Sequence, residues 1–181
     1  PLRRQRQMCI RDRAATAFSN FTGYLAIGIG LITLVGSLVA AGKLHRLLPQ
    51  KPQVWAFHSM ATLLSLVVMA ILILIGTFSQ YEGMPVFWLI AGVAIFSSLF
   101  GLYFSIRVGG ADMPITISLL NSLSGVAGAI AGMAIGDVLL VAVGGIVGAS
   151  GLLLTQIMCR AMNRSLLSIL LGTKKKVAAP A

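Results

Sequence analysis

Five long apolar stretches limit the folds that this chain can adopt. They cover residues 21–42, 54–78, 84–106, 113–135 and 138–159. Each is long enough to cross a hydrocarbon core about 30 Å thick. Lipid offers no partner to an unpaired backbone N–H or C=O group, and the stretches do not alternate apolar with polar residues, so helices are the expected spanning form. The sequence therefore predicts an all-α fold, a polytopic membrane bundle of five transmembrane helices.

The composition excludes an ordinary soluble domain and a nucleic-acid binder. Hydrophobic residues make up 57% of the chain and charged residues 10%, whereas a typical soluble domain carries about 25% charged residues. The net charge of +10 comes from basic residues outside the apolar stretches, where positively charged loops of membrane proteins lie. We therefore expect a lipid bilayer, and no nucleic acid, around this chain.

The positions of the charges also predict an orientation in the membrane. Basic residues concentrate in the first loop and after the last stretch, at Lys43, Arg46, Lys51, Arg160, Arg164 and Lys174 to Lys176. The loops at Glu82 and Asp137 contain no basic residue. The positive-inside rule then places loops 43–53 and 107–112 and the C-terminus in the cytoplasm, with the other two loops outside.

The N-terminal residues 1–17 do not fit this orientation. Five spans with a cytoplasmic C-terminus put them outside, yet they contain the arginines 3, 4, 6, 11 and 13. A signal peptide would need a shorter apolar core than the helix that follows. Two interpretations stay open: a non-native or disordered basic tail, or a genuine flank with inverted topology. We divide the chain into this tail, a membrane domain at 18–172, and the start of a linker at 173–181.

Asn121 interrupts the fourth apolar stretch with a polar side chain. A carboxamide at this depth is costly unless it faces protein or water, which makes it a functional-site hypothesis. It lies on a stripe of small and polar residues at steps of three and four: Ser118, Asn121, Ser122, Gly125, Gly128 and Gly132. We therefore expect Asn121 to point into the bundle, with helix packing as the competing explanation.

Similar stripes mark two other helices. They are Gly30, Thr33, Ser37 and Ala41 in the first helix and Gly144, Gly148, Gly151 and Thr155 in the fifth. Small residues let membrane helices approach closely, and serine can bond its own helix backbone. Close packing is therefore the simplest function of these stripes when only the residues are considered.

A flexible segment precedes the Asn121 helix. Gly109 and Gly110 can change backbone conformation at little cost, and the lone acid Asp112 follows them. Asp112 precedes Asn121 by about nine residues, or roughly 13 Å of helix rise. The sequence thus joins a buried polar group to a candidate hinge at the membrane edge.

The chain lacks the patterns of a complete active site. It contains no catalytic triad and no metal cluster, so we assign no catalytic or metal-binding residue. Its glycine-rich strings, such as GVAGAIAG, do not follow a predicted strand, as a dinucleotide-binding loop would. We expect no cofactor to bind this chain, and we interpret His58 as an interfacial side chain rather than a proton carrier.

Three segments resemble a known family. RVGGADMPITISLLNSLSG and GGIVGASGLLLTQIMCRAMNRSLLSILLG are similar to the β subunit of the proton-translocating NAD(P) transhydrogenase, and FTGYLAIGIGLITLVGSLVAAGKL is similar to an earlier helix of that subunit. The resemblance covers about residues 18–172. It implies a multi-pass protein of the bacterial plasma (inner) membrane. It also implies the activity of an oxidoreductase and translocase, which couples hydride transfer between NAD(H) and NADP(H) to proton movement.

The resemblance also implies roles for particular residues. Asn121 and Ser37 match residues of the proton path, and Asp112 matches the hinge acid next to the NADP(H)-binding domain, beside Gly109 and Gly110. Arg164 matches a basic residue at the junction with that domain. The glycines at 144, 148 and 151 match the close-packing glycines of the last membrane helix.

The same resemblance implies that this chain is part of a larger complex. The family's membrane histidine, its upstream helices and its NADP(H)-binding domain have no counterpart here. The implied partners are the remaining transhydrogenase membrane helices, the α subunit and the soluble domains that bind NADP(H) and NAD(H), in a dimer of the complete complex. Alone, the chain is expected to be neither a hydride-transfer enzyme nor a complete proton path.

Two other classes of function stay open when the residues alone are considered. One is a small-solute or ion transporter with its substrate site at Asn121, which an inverted repeat would favour; we find no such repeat. The other is a structural membrane subunit whose polar stripes only join helices. Proton flux that depends on NADP(H) in a complete complex would separate the transhydrogenase from both.

The orientation can be tested by cysteine labelling in intact cells. In a full-length chain, a cysteine at position 47 should be protected from a membrane-impermeant reagent added outside, because its loop is predicted to be cytoplasmic. A cysteine at position 83 should react readily. Rapid labelling at position 47 from outside would overturn the assignment.

Overall fold

A computed structural model of the chain describes residues 2–49, 58–78, 84–163, 165–166 and 169. Within this part the chain forms five α-helices and one short 3-10 turn. The α-helices are α1 (Leu2–Leu44), α2 (His58–Phe78), α3 (Met84–Arg107), α4 (Met113–Ile135) and α5 (Val138–Ala161), and the 3-10 turn covers Gly110–Asp112.

The predicted fold class is confirmed. All five helices contain a segment long and apolar enough to cross a membrane, and the described residues contain no strand. The predicted ends of α3, α4 and α5 agree with the structure to within two residues. Residues 54–57, expected to begin the second helix, and the linker at 173–181 lie outside the described part.

The first helix is longer than its apolar stretch predicts. It begins at Leu2 rather than near residue 21, so the helix extends through residues 2–17 ahead of the apolar stretch. Arginine, glutamine, methionine and alanine are all good helix formers. Hydropathy marks the part of a helix that lies in lipid, here Ala15–Leu44, but not the end of the helix.

Helix α1 is at the centre of the bundle. It contacts α2, α3 and α4, whereas α5 packs mainly on α4. The apolar core between α1, α2 and α3 is formed by Tyr24, Ile32, Met69, Ile73 and Val93. Only 22–39% of each spanning segment is buried within the bundle. Most of the apolar surface is therefore left for lipid or for other helices to cover.

Helices α4 and α5 touch through their backbones. A Cβ atom added to Gly125 would lie 2.6 Å from the backbone nitrogen of Gly148, and one on Gly151 would lie 2.9 Å from Cα of Ser122. The Ser122 hydroxyl donates to the Gly148 carbonyl at 2.6 Å. The small residues of both stripes thus allow a close approach with direct hydrogen bonds between the helices.

A tight turn connects α4 to α5 and reverses the direction of the chain. Gly136 ends α4 with φ of 75°, a left-handed conformation that costs glycine little. The Asp137 carboxylate then accepts hydrogen bonds from the backbone N–H groups of Leu139 and Leu140 at 3.0 and 3.3 Å. This N-cap satisfies two of the first free N–H groups of α5, so the two helices can reverse direction over two residues.

The glycine contact predicts a difference between two neighbouring substitutions. A Cβ on Gly144 would overlap the backbone of Ala129, whereas one on Gly145 would meet nothing within 4 Å. Gly144→Ala should therefore destabilise the helix pair by about 1–3 kcal/mol, the usual cost of overpacking. Thermal unfolding in detergent measures this effect. Equal stability of Gly144→Ala and Gly145→Ala would contradict the contact.

Candidate functional site

A groove of about 480 Å³ opens between α1 and α4. Its lining residues are Gly30, Thr33, Leu34, Ser37, Leu38 and Ser124. The groove therefore contains Ser37, which sequence analysis associated with Asn121, together with Ser124, which it did not single out. Ser124 follows Asn121 by three residues and so lies about 60° from it round the helix, on the side away from Ser118.

Ser37 and Asn121 lie at a similar depth. A Cβ added to Gly36 would meet the Leu120 side chain at 2.9 Å, and Ser37 and Asn121 each follow one residue later. Ser37 is about seven residues from the end of α1, and Asn121 about eight from the start of α4, which places both roughly 10–12 Å inside. Both are therefore in the half of the bundle next to the hinge.

The direction of Asn121 differs from the expectation that it points into the bundle. Its side chain is exposed, whereas Ser118 and Ser122 are buried towards α5. The difference follows from geometry, since Asn121 lies about 60° round the helix from Ser118 at roughly 100° per residue. Helix α5 packs against the edge of the polar stripe that contains Ser118 and Ser122, and Asn121 lies on the other edge.

Most hydroxyl groups near the groove bond to their own helix, but Ser37 does not. Thr33 donates to the Gly30 carbonyl at 2.8 Å and Ser124 to the Leu120 carbonyl at 3.0 Å. Within the described part of the chain, the side chains of Ser37 and Asn121 make no hydrogen bond. These two polar groups therefore remain available to water or to a further helix.

The residues lining the groove include no titratable side chain. His58 is the first residue of α2 and is buried, and its Nε2 lies 2.9 Å from the Tyr103 carbonyl of α3. A carbonyl only accepts, so this nitrogen must carry the proton. His58 thus joins α2 to α3 and is not among the residues that line the groove.

The candidate hinge is compact in this conformation. Gly109 has φ of −73° and ψ of 158°, which any residue can adopt. Asp112 is half-buried; its backbone N–H donates to the Gly109 carbonyl at 3.0 Å, and its carbonyl accepts from the Thr116 hydroxyl at 3.2 Å. The extra freedom of Gly109 is therefore not used here and remains available for another conformation.

The hinge packs against the chain that leaves α5. Val108 and Ile115, on either side of the hinge, are buried with Cys159 of α5 and with Ile169 beyond it. Arg164, assigned to the domain junction, lies outside the described residues. The fold thus places the hinge beside the segment that follows the last helix.

A buried lysine near the hinge makes a contact with α3 that was not predicted from the sequence. Lys43, at the end of α1, is only 3% exposed, and its Nζ donates to the carbonyls of Ser105, Ile106 and Val108 at 3.0, 2.6 and 2.8 Å. Sequence analysis used its charge only to assign the orientation. Nothing in the sequence pairs it with α3, because the contact depends on how α1 and α3 pack.

The described residues offer no metal centre. No group of three or more His, Cys, Asp or Glu side chains in this part of the chain could hold a metal ion. The features at hand are instead those of an integral membrane protein: apolar helices, a small groove between two of them that includes three hydroxyl side chains, and a packed hinge at one end of the groove.

Comparison with known proteins identifies the family. The family model described as the NAD(P) transhydrogenase beta subunit matches residues 3–181, a match that begins well before residue 18. The NAD(P) transhydrogenase subunit beta of Rhodospirillum rubrum is 37% identical over 148 residues, which are 82% of this chain and 31% of the relative. A second sequence of that subunit, from strain ATCC 11170 of the same organism, matches equally well.

These features and matches define a multi-pass membrane protein. The chain belongs to the NAD(P) transhydrogenase beta subunit family, as its resemblance to that family predicted, and it forms part of the family's membrane region. It spans about a third of the length of the curated relatives that it matches.

Proposed function

We propose that this chain forms part of the proton-translocating membrane region of an NAD(P) transhydrogenase. In the complete complex it would couple hydride transfer between NAD(H) and NADP(H) to proton movement across the bacterial inner membrane, with its C-terminus in the cytoplasm. The observation that supports this function most directly is the groove between α1 and α4, where Ser37 has no side-chain hydrogen bond within the described residues. Family membership supplies the reaction.

The groove can guide a proton but cannot bind one by itself. Asparagine and serine do not titrate near neutral pH, so Asn121 and Ser37 would act through their hydrogen bonds. The Asn121 amide can donate to and accept from water, and the Ser37 hydroxyl can do the same at a similar depth. Their role is to hold and orient water molecules, so that a proton can pass between a titratable group and one side of the membrane.

That titratable group would come from another helix. The residues lining the groove include none, while Asn121 lies exposed next to it. In the family resemblance, a histidine on a preceding membrane helix has this function. We propose that the remaining membrane helices of the complex, including those of the α subunit, cover this surface. The complete complex is proposed to be a dimer.

The described residues do not fit a nicotinamide dinucleotide. A dinucleotide cradle needs a strand, a glycine-rich turn and a helix, and the part of the chain described here contains helices without a strand. Binding of NADP(H) and NAD(H) is therefore assigned to soluble domains outside these residues.

Coupling would run through the hinge. Gly109 and Gly110 connect α3 to α4, and Asp112 begins the helix that carries Asn121. The hinge packs against the segment after α5, which in the proposed complex leads through Arg164 to the NADP(H)-binding domain. A change in that domain would shift the hinge and with it Asn121. A transporter of small solutes would use the same groove, but no observation favours that alternative.

Replacing Asn121 tests the proton path. Asn121→Leu in a complete enzyme should leave the complex assembled, because hydrogen bonds within membranes contribute only about 0.6 kcal/mol on average. Proton-coupled transhydrogenation should fall by about ten- to a hundred-fold, since small errors in positioning have effects of this order. Proton uptake by reconstituted vesicles measures the effect.

Ser122→Ala provides the matched control. Ser122 is the next residue on α4, but its hydroxyl faces α5, so its loss should lower stability slightly and leave the number of protons per hydride unchanged. Normal proton uptake by Asn121→Leu would remove Asn121 from the path and leave it as a packing residue.

Asp112→Asn tests the coupling hinge separately. The substitution keeps the size of the side chain and removes its charge, so the bundle should stay folded. NADP(H)-linked proton pumping should fall by about two- to thirty-fold, the range of coupling changes caused by single residues. Hydride transfer and proton uptake should be measured on the same vesicles. Rates close to those of the unmodified enzyme would exclude Asp112 from coupling.

A further inference from the structure

Lys43 has an unusual environment for a charged residue at a membrane edge. Most lysines at the ends of membrane helices extend their ammonium groups towards water. Lys43 is instead buried, and its three shortest polar contacts are the carbonyls of Ser105, Ile106 and Val108, all within 3.0 Å. An ammonium group has three N–H donors and no acceptor. The three carbonyls therefore match its full hydrogen-bonding capacity.

These carbonyls are at the C-terminal end of α3. The last carbonyls of a helix have no partner within the helix, and the negative end of the helix dipole favours a cation there. Lys43 satisfies both requirements from a different helix. Two more contacts hold this end of α3. The Ser105 hydroxyl donates to the Gly36 carbonyl at 2.9 Å, and His58 contacts the Tyr103 carbonyl. The end of α3 is thus held by α1 and α2.

The position of this contact along the chain gives it a functional meaning. Val108 immediately precedes Gly109, so the ammonium group holds the last fixed residue before the hinge. On its own helix, Lys43 follows Ser37 of the groove by six residues. A displacement of the hinge at Val108 must either break hydrogen bonds to a buried ammonium group or move the end of α1, and with it Ser37.

We propose that Lys43 is a positioning residue for coupling, which clamps the end of α3 and defines where the hinge begins. This inference rests on the proposed function and deepens it, because it names the contact that holds α1 and the end of α3 together while the hinge moves. The clamp restricts the flexible segment to Gly109 and the residues after it. Without the clamp, a displacement at the hinge would unwind the last turn of α3 instead of moving α4 relative to the groove.

Two measurements on the complete enzyme test the clamp. Hydrogen exchange of the backbone over residues 105–112 should rise by about ten-fold or more in Lys43→Met, since the loss of one hydrogen bond to a charged group has this size. Lys43→Gln keeps two donors and should give an intermediate rise. In vesicles, protons translocated per hydride transferred should fall at least about two-fold in Lys43→Met.

Arg46→Met is the matched control. Arg46 is exposed at the same membrane edge, so its substitution removes the same charge without touching α3, and both measurements should stay unchanged. A purely structural role of Lys43 would lower the amount of assembled enzyme and both rates together, with the same proton-to-hydride ratio. An unchanged ratio, or unchanged exchange over residues 105–112, would overturn the proposal.

The exchange measurement separates this proposal from the proton path. If Asn121→Leu pumps normally, the proposed path fails, yet faster exchange in Lys43→Met would still establish the contact with α3. If exchange does not change while Asn121→Leu blocks pumping, the clamp fails and the path is retained. If Lys43→Met does not assemble, Lys43→Gln supplies both measurements.

Discussion

The backbone contact between α4 and α5 determines the orientation of the residues that matter most in this structure. Glycines at 125, 144, 148 and 151 let the two helices approach until backbone atoms touch. This contact fixes the rotation of α4 about its own axis, because the backbone of Gly125 and the Ser122 side chain meet α5 directly. Asn121, just outside that edge, is consequently directed away from α5. The packing glycines and the polar path therefore form two adjacent surfaces of one helix rather than a single one.

Hydropathy and residue spacing could predict the five spans, since both depend on local sequence and on the thickness of the bilayer. They could not predict the direction of Asn121. A stripe that includes both Ser118 and Asn121 covers more than one helix face, and the division between its two edges depends on how closely α5 approaches. The start of α1 at Leu2 was missed for a different reason, because the residues before the apolar stretch form helix well without being hydrophobic.

Lys43 illustrates a further limit of sequence reasoning. Charge near the end of an apolar stretch is typical of the cytoplasmic edge of membrane helices, and that interpretation uses only the position of the residue. Burial of its ammonium group against α3 requires the packing of α1 on α3, which no short-range pattern encodes. Lys43 lies in a segment that resembles the family, but the resemblance implied no role for it. The contact is visible only when the hydrogen bonds of the α3 carbonyls are accounted for one by one.

The arrangement of fixed and free contacts restricts how movement could reach the groove. Helix α4 is held along α5 by backbone contacts and by the hydrogen bonds of Ser122 and Thr155, so the two helices should move as one unit. The end of α3 is held to α1 by Lys43. The hinge, Gly109 and Gly110, connects these two units at one end, and the groove separates them along the helices. On the proposed function, displacement at the hinge therefore changes the spacing between α1 and α4, where Ser37 and Ser124 line the groove and Asn121 lies beside it.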